Sequence, residues 1–210
     1  TSVPISHATP AAAYANNVTR NDYQDLSRDL VGLPSVSHRQ DPLPGVDVLL
    51  GAGWGENKDG DPRQGQNYVA GNVYLPQHEI DSLDHRNGGK YVVAQRTQGQ
   101  SGREILIRSA RQAFHGDHRL FGFFGVGGGH LPYQTADGNF NPYGQKYSEA
   151  ELKENPTLGD MTRAAIGVLS KNPRGFWLMI EAGDVDWANH ANNLTTRSVP
   201  YSAVTRPFAW

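Results

Sequence analysis

The chain has 210 residues, a formal net charge of −2, 37% hydrophobic residues and no cysteine. This length predicts one globular domain, and the absence of cysteine excludes disulfides and thiolate metal sites. The near-neutral charge gives no sign of nucleic-acid binding, and no apolar run approaches the roughly 20 residues that a membrane-spanning helix needs.

Apolar segments with helical periodicity alternate along the chain with short, almost wholly apolar runs. The first helix is predicted to begin at Thr9, with Pro10 at the first helical position, and to continue to Arg20. Helices are predicted at 9–20, 79–89, 103–114 and 156–175, and strands at 45–55, 90–96, 118–130 and 176–180. This alternation predicts an α/β fold whose sheet is buried on both faces, with ligands at the carboxyl ends of its strands.

The segment "GFWLMIEAGDVDWANHANN" joins the last predicted strand to a group of carboxylates and an imidazole. Asp186 and His190 are four residues apart, so on a helix they lie on one face and could hold one cation. An exposed, salt-linked turn is the alternative for this pair. Glu181 would follow a buried strand directly, which predicts a cationic partner such as a metal ion. Asp184 is interpreted as part of the turn or as a residue that supports a ligand.

"EAGDVDWANHANN" resembles the signature of the alkaline phosphatase family, most closely its bacterial members. The resemblance implies that Glu181 binds magnesium and that Asp186 and His190 bind a catalytic zinc. A second stretch, "SHATPAAAYANNVTR", is similar to the family segment that carries a magnesium-binding Thr, here Thr9, and a phosphate-binding Arg on the same helix, here Arg20. His7 would either coordinate the third metal or support it through a bound water.

The resemblance covers residues 1–193 and implies the family's fold, a three-layer α/β sandwich with a mostly parallel central sheet. It further implies a metal-dependent phosphatase that uses Zn²⁺ and Mg²⁺ and hydrolyses phosphate monoesters through a phosphoserine intermediate. A homodimer and a periplasmic or secreted location are also implied, although the first residues carry no signal-peptide pattern. A phosphodiesterase or sulfatase of the same superfamily is the alternative activity, and Thr9, Arg20 and Glu181 together favour the monoesterase.

The chain also departs from the family pattern. We find no Asp-Ser-Ala nucleophile motif, no bridging metal Asp and no further Asp-His zinc pair or final zinc His. The sequence is therefore interpreted as an internal fragment with little activity of its own, or as a non-catalytic metal-binding remnant. Residues 194–210 read as an aberrant tail, which a frameshift in the coding DNA would explain. No role is assigned to His130 in "GVGGGH".

Overall fold

Three parallel strands form the central sheet in the order β1-β5-β4. The computed structural model describes residues 1–7, 9–132, 140–141 and 145–192. The strands are β1 (Val48–Gly51), β2 (Asn57–Lys58), β3 (Gly71–Asn72), β4 (Tyr91–Gln95) and β5 (Arg119–Phe123), of which β2 and β3 form a separate antiparallel pair. The helices are α1 (Thr9–Ala12), α2 (Tyr23–Val31), α3 (Gln77–Leu83), α4 (Gly102–His115), α5 (Glu149–Lys153), α6 (Leu158–Leu169) and α7 (Gly183–His190), with a 3₁₀ turn at His85–Asn87.

Two hydrophobic cores lie on opposite faces of this sheet. Successive residues of a strand point to opposite faces, and Leu49 and Phe121 pack with α1, α2 and α3 while Leu50 and Leu120 pack with α4 and α6. A sheet covered by helices on both sides is a three-layer α/β arrangement. The predicted fold class is therefore confirmed.

Most predicted elements are present, with shorter bounds. The exception among the strands is 176–180, which forms no strand in the structure. Phe176 is 47%, Trp177 74% and Ile180 42% exposed, so the segment is not buried as predicted. Its apolar composition predicts a strand, but a strand also needs a hydrogen-bonded neighbour, and among the described residues β1 pairs only with β5.

The predicted helix 9–20 ends at Ala12, so Arg20 does not share a helix with Thr9. The backbone amide of Asn16 donates to the Asp29 side chain, and that of Thr19 donates to the Asn17 side chain. The Asn17 bond is local, and local side-chain bonds of this kind compete with helical ones, which is why Asn favours turns over helix interiors.

Helix α2 was not predicted from the sequence, and all of its residues are buried. The charged side chains of α2 obscure its apolar periodicity in the sequence. In the structure these charges are neutralised by ion pairs within the protein. The Arg28 guanidinium lies 2.8 Å from the Asp25 carboxylate and 2.9 Å from that of Glu79. Burial of a charge is tolerated when it is paired in this way.

Candidate functional site

The N-terminal segment, residues 1–5, connects the candidate site to the carboxyl ends of β1 and β5. The Ile5 amide donates to the Ala52 carbonyl just after β1, and the Leu131 amide, in the loop after β5, donates to the Ser2 carbonyl. The Ser2 amide in turn donates to the Glu181 carbonyl at 3.1 Å. Residues that precede α7 are thereby held at the carboxyl edge of the sheet, where parallel α/β folds place their ligands.

Glu181 is half-buried, and its carboxylate has a neutral partner. The Thr1 hydroxyl donates to Glu181 Oε2 at 2.6 Å. Because residues 176–180 are not a buried strand, the argument that burial alone requires a metal beside Glu181 is wrong. The carboxylate remains partly accessible and could accept a cation.

Asp184 is buried at the start of α7, and its side chain accepts a short hydrogen bond from the Ser2 hydroxyl. Burial raises the pKa of Asp184, an effect that the Ser2 hydrogen bond only partly offsets. The neighbouring Gly183 lets α7 approach the N-terminal segment closely enough for the Ser2–Asp184 hydrogen bond, since a Cβ at position 183 would lie 2.5 Å from Val3 Cγ2. Asp184 thus ties α7 to the N-terminal segment.

Asp186 and His190 lie on one turn of α7, as the four-residue spacing predicts. The distance between Asp186 Oδ2 and His190 Nε2 is 3.6 Å, and the two side chains are 70% and 81% exposed. In this structure the pair has the geometry of an exposed, salt-linked turn. The same two atoms are free to bind one metal ion from solvent, because no other described side chain competes for them.

His7 lies among aromatic rings beside α7. Its ring centroid is 6.0 Å from that of Tyr23 and 5.4 Å from that of Trp187, which it meets edge-on. The ring centroid of His130 also lies near that of Trp187, at 5.7 Å. Trp187 therefore separates two imidazoles at the base of the candidate site.

The charged candidates act on His7 electrostatically. Burial, and after it the Arg20 guanidinium, lowers the pKa of His7 below its ordinary value of 6.5, whereas the Glu181 and Asp186 carboxylates raise it. A charge shifts the pKa of another group appreciably only when the two are near each other. The charged groups of Arg20, Glu181 and Asp186 therefore lie in the same region as His7.

Arg20 is exposed in the turn before α2. Among the described side chains none forms an ion pair with it, while other arginines, such as Arg28 and Arg96, are neutralised by carboxylates. Thr9 is also exposed, and its hydroxyl has no hydrogen-bond partner within the described part of the chain. Within the described ranges no hydrogen bond joins Thr9 to Glu181, and Ala8 lies outside those ranges.

Sequence reasoning missed two residues of this region, His130 and Trp187. His130 is 5% exposed, and its Nδ1 lies 2.7 Å from the Leu131 carbonyl oxygen. Its place in a glycine-rich turn directly after β5, at the carboxyl edge of the sheet, is a signal that could have identified it. Trp187 could also have been identified from the sequence, because it directly follows the candidate ligand Asp186.

The candidate ligands provide part of a metal coordination shell. Asp186 and His190 offer an oxygen and a nitrogen on one helical turn, which is a suitable half of a zinc coordination shell. Within the described ranges no three His, Asp or Glu side chains are grouped closely enough to hold a metal ion. Further ligands would have to come from elsewhere.

Comparison with known proteins decides the family. An alkaline phosphatase family profile matches residues 1–199. The chain belongs to the alkaline phosphatase family. Family membership confirms the resemblance given by the 7–20 and 181–190 motifs and agrees with the observed three-layer fold.

Individual alkaline phosphatases are similar at low identity. The tissue-nonspecific isozyme of Gallus gallus is 28% identical over 199 residues, 90% of this chain and 34% of that protein. Alkaline phosphatase of Gadus morhua is 27% identical over 90% of this chain and 37% of its own length, and alkaline phosphatase 3 of Bacillus subtilis (strain 168) is 26% identical over 90% and 30%. The chain thus spans about a third of the length of the curated relatives it matches. Because vertebrate and bacterial relatives are similarly distant, a specifically bacterial type remains a prediction.

Two other predictions concern features outside the site. In the described part of this alkaline phosphatase family member, no helix has the length and apolarity to cross a bilayer. The tail predicted at 194–210 lies outside the described residues.

Proposed function

We propose that this chain provides part of the phosphate- and metal-binding site of a phosphatase that hydrolyses phosphate monoesters. The observation that carries the proposal is the exposed Arg20 guanidinium, which forms no ion pair with any side chain in the described part of the chain. A guanidinium without a carboxylate partner is available to bind two phosphate oxygens at once. Family membership makes phosphate the expected anion.

We assign zinc to Asp186 and His190, and magnesium to Glu181 and Thr9, with His7 as a further ligand or a support for a bound water. When bound, these ions supply Lewis-acid stabilisation of phosphoryl oxygens. Arg20 would orient the phosphoryl group and neutralise its charge. The buried Asp184–Ser2 contact holds α7 in place, which positions the Asp186/His190 turn.

A serine nucleophile would complete the chemistry by forming a phosphoserine, and the 210 residues contain no Asp-Ser-Ala motif. We therefore expect little turnover from this chain alone. Non-catalytic metal binding is the second candidate function, and it is favoured by that missing motif. A periplasmic or secreted location and a homodimer are part of the proposal because the family resemblance implies them.

The proposal is tested by titrating the purified chain with zinc and then with inorganic phosphate in a calorimeter. We expect Asp186→Asn and His190→Gln to weaken zinc binding by about tenfold each, the range typical of lost ligands and their supports. His78→Gln, which removes an exposed imidazole on α3, is the matched control. Equal zinc affinity in all four proteins would overturn the zinc assignment.

Phosphate binding by the metal-loaded chain tests Arg20 separately. Arg20→Gln removes a charge-assisted, two-pronged contact, so we expect phosphate affinity to fall by about tenfold or more. Arg174→Gln changes another exposed arginine and serves as the control. An assay with p-nitrophenyl phosphate at alkaline pH completes the set, and fast, serine-dependent turnover would contradict the expectation of little activity.

A further inference from the structure

A groove of about 490 Å³ lies beside β4, between α4 on one side and the end of α3 with the 3₁₀ turn on the other. Gln112 of α4 and His85 of the 3₁₀ turn join these walls at one end, with 2.9 Å between their Nε2 atoms. At the other end the side-chain amides of Gln77 and Gln95 bond to each other at 3.1 and 3.2 Å. The groove is therefore a bounded space of the size of a small-molecule site. None of the described residues that line it belongs to the candidate site.

Helix α4 contributes two polar groups to the groove that the protein leaves without a strong partner. Ser109 is only 7% exposed, yet its hydroxyl has no hydrogen-bond partner within the described ranges. The neighbouring Arg108 forms no ion pair with a described side chain, although Glu104 lies one turn before it. A nearly buried hydroxyl and an uncompensated guanidinium both gain free energy from an incoming hydrogen-bond acceptor.

The charges on the opposite wall limit which acceptor can enter. The Arg86 guanidinium donates to both oxygens of the Asp84 carboxylate, and these bonds lower the pKa of Asp84. Asp81 accepts only a neutral bond among the described side chains, from the Gln77 amide at 2.8 Å. Arg86 and Arg108 thus balance Asp81 and Asp84 in formal charge. Because two carboxylates already face the groove, a phosphate dianion is disfavoured relative to a singly charged carboxylate.

We propose that this groove binds a small polyhydroxylated monocarboxylate, the chemical class of the sugar acids. The planar Arg108 guanidinium would donate two parallel hydrogen bonds to the carboxylate, and the Ser109 hydroxyl would donate a third. Most of the surface that lines the groove is polar, with neutral groups such as the Thr97 hydroxyl and the Gln100 amide. Such groups both donate to and accept from hydroxyls, which favours a hydroxylated ligand over an aliphatic acid.

The first test titrates the purified 210-residue chain with D-gluconate and with D-sorbitol in metal-free buffer. The two probes differ in that sorbitol carries a hydroxymethyl group in place of the carboxylate. We expect gluconate to bind with a Kd of about 1 mM or tighter, as ligands of its size can. We expect sorbitol to bind at least about tenfold more weakly, because it cannot form the charge-assisted bonds.

Nitrogen–proton NMR measures both affinities, and the backbone amide shifts should be largest at residues that line the groove, such as Val93. Equal binding of sorbitol and gluconate would overturn the role of the carboxylate. A gluconate Kd weaker than about 10 mM, or shifts centred away from the groove, would overturn the site itself.

Arg108→Gln tests the carboxylate contact directly. We expect it to weaken gluconate binding by about tenfold or more, because it removes a charge-assisted, two-pronged bond. Arg111→Gln is the matched control, since Arg111 is an exposed arginine on the same helix that does not line the groove. Its gluconate affinity should stay within about twofold of the unaltered chain. Equal affinities in the two variants would contradict the assignment of Arg108.

Ser109→Ala separates ligand binding from stability. The substitution removes no hydrogen bond within the described part of the chain, and alanine favours a helix, so Tm should stay within about 2 °C. Gluconate affinity should nevertheless fall by about threefold to tenfold, the loss expected for one hydrogen bond. An unchanged affinity would show that the Ser109 hydroxyl does not contact the ligand.

Competition with inorganic phosphate tests the ligand class. We expect phosphate to displace gluconate only at concentrations well above the gluconate Kd. Displacement by phosphate at lower concentrations, with the same dependence on Arg108, would make the groove a phosphate site and refute the carboxylate class. Arg20→Gln should leave gluconate binding unchanged, so the outcome here is independent of the proposed phosphatase site.

Discussion

Ser2 and Asp184 form the buried contact on which the placement of α7 depends. Ser2 is 4% and Asp184 6% exposed, and the Ser2 hydroxyl donates to the carboxylate while the Asp184 amide donates back to that hydroxyl. A carboxylate in such a place is stable only with a donor. The pair therefore contributes both to stability and to the geometry of the candidate site.

Ser2→Ala should lower the free energy of unfolding by about 1–3 kcal/mol, because it leaves a buried acceptor without its donor. Urea denaturation measures the change. Ser82→Ala removes an exposed hydroxyl that bonds to the Glu79 carbonyl and should change stability by less than about 0.5 kcal/mol. Equal effects of the two substitutions would show that the Asp184 contact contributes nothing.

Asp184→Asn should change how stability depends on pH. Because burial raises the pKa of Asp184 above its ordinary 3.8, the folded chain retains a proton that the unfolded chain has lost. This group's contribution to stability falls as pH rises from 3.8 through the raised pKa. The difference in stability, Asp184→Asn minus the unaltered chain, should therefore increase across that range and stay level above it. A difference that is constant with pH would contradict the assignment.

His130 should be neutral, with its proton on Nδ1. The Leu131 carbonyl, 2.7 Å from Nδ1, can only accept, so Nδ1 must donate. Burial lowers the pKa of His130 below 6.5, so its contribution to stability is lost as pH falls from 6.5 through the lowered pKa. Nitrogen–proton NMR correlation through a pH titration reports both properties. A proton on Nε2 at neutral pH, or a midpoint above 6.5, would contradict them.

At the scale of elements, α2 shows how polar side chains can organise a core. Gln24 is fully buried, and its side chain donates to the Val69 and Asn72 carbonyls and accepts from the Val69 amide. These contacts hold the loop that contains β2 and β3 against the helix. Packing of α2 thus depends on side-chain to backbone bonds as well as on apolar contact.

Gln24→Leu should destabilise the chain by about 2–3 kcal/mol, because it leaves buried backbone groups of the loop without partners. Thermal and urea unfolding measure this, and Gln66→Leu, an exposed glutamine in the same loop, is the control with an expected change within about 0.5 kcal/mol. If Gln24→Leu were neutral, apolar packing alone would hold α2.

The predicted and observed elements differ for local physical reasons. Strands at Leu49, Val92 and Phe121 and helices α4 and α6 were predicted because their apolar spacing matches their period. Helix α2 was missed because its buried face carries Gln24, Asp25 and Arg28, which a hydrophobic pattern counts as exposed. The strand at 176–180 was wrong because apolar composition cannot say whether a neighbouring strand is present.

At the scale of the whole molecule, the sheet separates two cores that should respond independently to mutation. Ile80 of α3 packs on one face and Ile105 of α4 on the other. If the two cores pack independently, the losses in unfolding free energy caused by small substitutions on opposite faces should add. The same separation leaves the carboxyl edge of the sheet free for the candidate site.

Ile80→Val and Ile105→Val should each cost about 0.5–1.5 kcal/mol. Their double variant should equal the sum within about 0.5 kcal/mol, because the two side chains belong to different cores on opposite faces of the sheet. Urea denaturation of the four proteins in the cycle measures the coupling. A coupling energy above about 1 kcal/mol would indicate one continuous core rather than two separated by the sheet.

The sequence by itself determined the family resemblance and the α/β class, because the spacing of residues within a motif and the periods of strands and helices are local properties of the chain. The Asp186/His190 spacing also determined that these residues share a helical turn. Only the tertiary structure decided that Glu181 bonds to Thr1, that His130 and Trp187 join the site and that residues 176–180 lack a neighbour. Those facts depend on contacts between residues far apart in sequence, which no local pattern encodes.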